Sequence, residues 1–164
     1  FKIEFAFPAM AFLIDEPLTK TAMNENLDRD YILVECNLEK LKTFTAQLEQ
    51  EHPVTLIREP SVCLTLIRAE DSIEQQEFYL GEALTSECEV GYEGQIGYGV
   101  CLGEEPERAY CLAVIDAIIH ALEGIPSAIT EFLENSYKEI NHKEEVEFNQ
   151  ILKTRVDFKM FSDE

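Results

Sequence analysis

Residues Glu77 to Leu122 read EFYLGEALTSECEVGYEGQIGYGVCLGEEPERAYCLAVIDAIIHAL, and this stretch decides the fold class. Its first part is β-rich, and the Tyr92-Glu93-Gly94 step between CEV and QIGYGVCL marks a hairpin. Antiparallel sheet is therefore expected through Glu105. Pro106 stands where a helix start tolerates it, and AYCLAVIDAIIHAL, Ala109 to Leu122, is apolar on nearly every side until Gly124 and Pro126 close it. A helix without a polar face belongs in the middle of a fold.

Upstream, Leu38, Leu41, Phe44 and Leu48 recur at helical spacing, with Asn37 as a cap and Pro53 as a stop, which predicts an amphipathic first helix. VTLIRE and SVCLTLIRAE follow as two short strand-like runs separated by Glu59-Pro60, and alternation in the second suggests burial on both faces. Downstream, Ser127 opens another helix with Ile129, Phe132, Leu133 and Ile140 on one stripe, and Lys138 to Glu147 forms a solvated face. Val156, Phe158 and Met160 then alternate with Asp157 and Lys159, the pattern of a late strand that needs a sheet edge in its own domain or a neighbour. Helix, strands, helices and strand make an α+β single domain, an antiparallel sheet packed against helices with a late C-terminal strand. Phe5 to Ile14 is an apolar decapeptide too short to span a bilayer and without the flanks of a signal peptide. Residues 1–22 are read as an extension, and 23–164 as the domain.

Charge narrows the function classes. Thirteen basic residues against 33 acidic ones give a formal net charge of -20, a poor surface for nucleic acid. Between Ala69 and Tyr137 stand fifteen acids and one base, Arg108, so a nucleotide site there needs backbone amides or a metal. The five cysteines are scattered singly and sit mostly in apolar runs, which reads as buried free thiols and a reducing, cytoplasmic setting. No histidine lies at ligand-like spacing from them, so no metal is expected.

Two spots carry candidate chemistry. Asp116 and His120 stand four apart on the central helix and share a face, the spacing at which a carboxylate orients an imidazole for proton transfer. The competing reading, favoured because no nucleophile is placed, is a buried Asp meeting a helix end or a partner-chain amide. Gly97-Tyr98-Gly99 and Gly103 flank a helix start, where amides cradle anions, but the spacing fits no phosphate loop and Glu104, Glu105 and Glu107 repel an anion. Close backbone packing is the expectation there.

Three ordered blocks, FYLGEAL at Phe78 to Leu84, GYGVCLGEEPERAYCLAVIDA at Gly97 to Ala117 and TRVDF at Thr154 to Phe158, resemble the PhnG family of phosphonate metabolism over roughly Leu38 to Phe161. The resemblance implies a non-catalytic subunit of the carbon-phosphorus lyase core complex, with PhnH, PhnI and PhnJ as partners and PhnL and PhnK as associated ATP-binding proteins. It implies that the complex transfers a phosphonate onto the ribose of ATP with release of adenine, ATP being a substrate of the complex and no cofactor being held by this chain. The motif residues Phe78, Gly81, Glu82, Gly97, Tyr98, Gly103, Ala109, Asp116, Thr154, Arg155, Val156, Asp157 and Phe158 become family-motif and interface candidates. TRVDF is the expected docking strand. The rival classes are a self-contained enzyme built on Asp116 and His120 and a stand-alone homodimer.

Overall fold

A computed structural model describes residues 2–6, 11–13, 25–70, 73 and 76–153. The strand β1 (Lys2–Ala6) pairs with β2 (Ala11–Leu13), and helices α1 (Glu25–Glu35) and α2 (Leu38–Glu51) follow. Three strands, β3 (Thr55–Glu70), β4 (Glu77–Tyr92) and β5 (Gln95–Leu102), precede α3 (Pro106–Ala121) and α4 (Ser127–Lys153). All pairings are antiparallel, in the order β2-β1-β3-β4-β5, which makes the class α+β. The late strand expected at Val156 to Met160 lies outside the described residues.

Local chemistry explains most element ends. Asn37 caps α2, its side chain accepting the Lys40 amide at 3.1 Å, and Pro53 lies just beyond the helix. Glu93 and Gly94 both have positive φ, 46° and 84°, the geometry of the tight turn that matches strand twist between β4 and β5. At the end of α3 the left-handed residue is Glu123, and the Gly124 amide reaches back to the Ile119 carbonyl at 3.2 Å.

Helix α3 lies against β5 with no room to spare. A Cβ on Gly99 would sit 1.8 Å from the Ala109 carbonyl oxygen, and one on Gly97 would sit 2.2 Å from the Ala117 amide nitrogen. Two glycines alternating on the strand thus meet three alanines, Ala109, Ala113 and Ala117, stacked four apart on the helix, and backbone packs on backbone. Around this contact Cys88, Val90, Val114, Ile115 and Ile118 close the core, with Leu41, Ile129 and Leu133 brought in by α2 and α4. Phe132 of α4 stacks on Phe44 of α2 at 4.3 Å between ring centres.

Three findings depart from the sequence reading. The two runs around Glu59-Pro60 are one strand, because shifts of register at Leu56/Arg58 and Arg58/Ser61 absorb the proline without ending the ladder. The second run is not buried on both faces: Val62, Leu64 and Leu66 are exposed, while Thr65 and Ala69 are buried. An unpredicted helix, α1, precedes the expected first one. Its sequence ENLDRDYILVE does set Leu27, Tyr31 and Val34 at helical spacing, but the stripe spans only two turns and the sequence reading passed over it. β1 and β2 fall within residues 1–22, and β1 pairs with β3 from Lys2↔Glu70 to Phe5↔Ile67.

Two parts project from this core. Beyond Leu84 the β3–β4 pair runs on as an arm, since β5 pairs only with Thr85 to Tyr92. Helix α4 is exposed at every residue from His142 to Lys153, including Val146 and Phe148. No described helix is long and apolar enough to cross a membrane.

Candidate functional site

The apolar helix α3 carries one buried acid. Asp116 is held where α3, β5 and α1 meet, beside a cavity of about 60 Å³ lined also by Arg29, Leu33, Tyr98 and Ile115. Its Oδ2 accepts the Tyr98 amide at 3.0 Å, which fastens the helix to the edge strand. Arg29 approaches Oδ1 at 3.7 Å while its Nε donates to Asp30 at 2.8 Å. His120 Nδ1 lies 3.4 Å from Oδ2, with its ring largely exposed. Burial pushes the Asp116 carboxyl above the usual carboxylate value, and the Tyr98 amide, His120 and Arg29 each pull against that rise.

Asp116 and His120 therefore share a helix face, as their spacing requires, and the carboxylate's hydrogen bond goes to a backbone amide of its own chain. The amide comes from β5 rather than a helix end or a partner. Gly97, Tyr98, Ala109 and Asp116 are brought together at the α3–β5 contact. Gly103, with φ 90°, makes the turn into α3, its amide donating to the Leu84 carbonyl at 2.8 Å and its carbonyl accepting from Ser86 Oγ at 2.9 Å. Phe78, Gly81 and Glu82 lie apart from this cluster on the exposed arm. Thr154 to Phe158 lie outside the described residues.

Arg108, the sole base of the central stretch, is buried. Its Nη1 donates to the carbonyls of Leu33 at 3.1 Å and Cys36 at 3.0 Å, and its Nε donates to Glu105. The guanidinium thus satisfies orphan carbonyls at the end of α1 and is turned away from solvent. Sequence reasoning missed this role and that of Arg29. Each arginine meets its partners across a long stretch of chain, and only the scarcity of bases around Arg108 drew attention to it.

A larger, mostly apolar cavity of about 320 Å³ opens between α2 and α3, lined by Lys42, Thr45, Glu49, Tyr110 and Cys111 among others. Lys42 bridges to Glu107 at 3.0 Å and Tyr110 donates to Glu49, whereas the buried Thr45 hydroxyl has no hydrogen-bond partner among the described residues. All five cysteines are free and four are buried. Burial pushes Cys88 and Cys101 up to about 11 and raises Cys36 and Cys111 as well, so these four stay protonated thiols at neutral pH.

Fold and site together define an α+β protein in which a single helix, pinned by its one buried acid and by glycine–alanine contact, organises an antiparallel sheet. The model of the family described as phosphonate metabolism protein PhnG matches residues 28–162, and the chain belongs to that family. No curated protein matches the sequence.

Proposed function

We propose that the chain is a supporting, non-catalytic subunit of the carbon-phosphorus lyase core complex, assembling with PhnH, PhnI and PhnJ, with PhnL and PhnK associated, in the cytoplasm. The complex transfers a phosphonate onto the ribose of ATP and releases adenine; ATP is bound by the partners, and this chain holds no cofactor. The observation that carries this reading is the commitment of Arg108 to the Leu33 and Cys36 carbonyls and to Glu105. A triphosphate approaching the stretch from Ala69 to Tyr137 meets fifteen acids and a guanidinium already engaged, and such a field repels it. Family membership supports the pathway, and the projecting arm and exposed end of α4 support life within an assembly.

The test has two arms. The isolated chain, heated with millimolar ATP and magnesium, is expected to melt where it melts without them, and a clear upward shift would refute the supporting role. Co-expressed with PhnH, PhnI and PhnJ, it is expected to co-elute with them in size-exclusion chromatography. The Asp116–His120 approach of 3.4 Å favours one other reading, a self-contained enzyme. Turnover by the isolated chain that is lost on His120→Ala would support that rival.

A further inference from the structure

The face of the sheet that packs on α3 continues past the helix. Cys88 opposes Gly99 and Val90 opposes Gly97, and both glycines touch α3, so these residues mark the covered face. Alternation carries that face along β4 to Ser86 and Leu84. Opposed pairs share a face, which adds Val62, across from Ser86, and Leu64, across from Leu84. Cover ends at Ser86, whose Oγ accepts the Glu105 amide at 2.8 Å just ahead of α3. Beyond it Leu84 is 45% exposed, Leu64 63% and Leu66 42%, although the same strip is sealed two residues away at Ser86.

Among the described residues the neighbouring edge is unpaired as well. The Leu84 carbonyl is met by the Gly103 amide, and among the described residues no strand pairs with Tyr79 to Ala83 on the side away from β3. That is about 17 Å of ladder at strand rise. An exposed apolar strand edge is a template to which a further strand can be added. A second copy is a poor occupant, because each chain carries a net charge of -20 and the arm itself sets Glu70 directly opposite Glu77. Glu82 stands on the apolar face, across from Leu66.

We infer that the arm receives a β-strand from a partner protein along Tyr79–Ala83, with apolar side chains on the Leu64–Leu84 face and a lysine or arginine set to meet Glu82. This rests on the proposed role as a subunit and names the surface that role uses. Amide hydrogen exchange read by mass spectrometry tests it on the co-expressed complex with PhnH, PhnI and PhnJ and on the chain alone. Exchange at the amides of Tyr79–Ala83 that turn away from β3 is expected to slow about tenfold or more on assembly. Unchanged exchange in an intact complex would overturn the strand and leave the subunit role standing. Full protection of the segment in the isolated chain would overturn it too, showing the edge to be filled by the chain itself or a second copy. Failure of the wild-type chain to form any complex would sink both. Glu82→Lys, on the exposed face where the fold tolerates change, is expected to weaken capture of the partners about tenfold, and more strongly at low salt. Capture at wild-type yield across that salt range would remove the basic partner strand.

Discussion

Asp116 is the residue in which structural and chemical roles meet. Its carboxyl is buried, so the folded chain keeps the proton to higher pH than the unfolded chain, whose Asp titrates near the ordinary 3.8. The folded state then binds more protons than the unfolded one, and stability is lost as pH rises from about 4 through the raised value. Asn at this position keeps an oxygen for the Tyr98 amide and removes the titration. Asp116→Asn is accordingly expected to gain stability relative to wild type as pH rises from about 4 to 7, read from urea midpoints at each pH. A difference that stays flat with pH would show that burial of the carboxylate is not what sets its cost. The residue's isolation in an apolar helix was legible in the sequence. Its partner was not, because no local pattern tells which strand amide is left to be met.

At the scale of elements, the β5–α3 contact sets a strict steric limit. Gly99→Ala places a methyl on the Ala109 carbonyl and is expected to cost about 3 kcal/mol, whereas Gly81→Ala, which meets nothing within 4 Å, is expected to stay within about 0.5 kcal/mol. Equal effects in chemical unfolding would mean that helix and strand shift apart easily. Elements with local punctuation were readable: the Asn37 cap, the turn at Glu93-Gly94, the start at Pro106 and the all-round apolarity of α3. Elements that depend on distant chain were not. Pro60 looked like a break because a bulge that absorbs it leaves no mark of its own. Val62 and Leu64 looked buried because alternation shows which residues share a face but not where the covering helix stops.

For the whole molecule, the thiols report how closed the core is. Cys36, Cys88, Cys101 and Cys111 are buried, and Cys63 is half-buried with its sulfur 3.2 Å from Thr85 Oγ1. Titration of the native chain with an aromatic disulfide at about pH 7.5 is expected to modify at most Cys63 within minutes, and all five after denaturation. Fast reaction of several thiols would mean that the core opens readily. Net charge has a second consequence at this scale: acids outnumber bases by twenty, so like copies repel one another at long range while Leu64, Leu66 and Leu84 stand exposed. The family could be read from its ordered motifs, but the exposed Leu64–Leu84 face of the arm emerges only when strand pairing and burial are seen together.

The contact of glycine with alanine also has a mechanical meaning. A helix seated on a strand with no side chains between them has no rotamers to exchange, so it cannot slide by repacking as ordinary helix pairs do. Any bending of the sheet must fall elsewhere. The ladder is irregular between Leu56 and Ser61, opposite Cys88 and so beside the α3–β5 contact, and again at Ile67/Arg68 on the arm. The molecule is thus built on a fixed mount of α3 and β5, and of the three register shifts in the β3–β4 ladder only the one at Ile67/Arg68 lies beyond it, out on the arm.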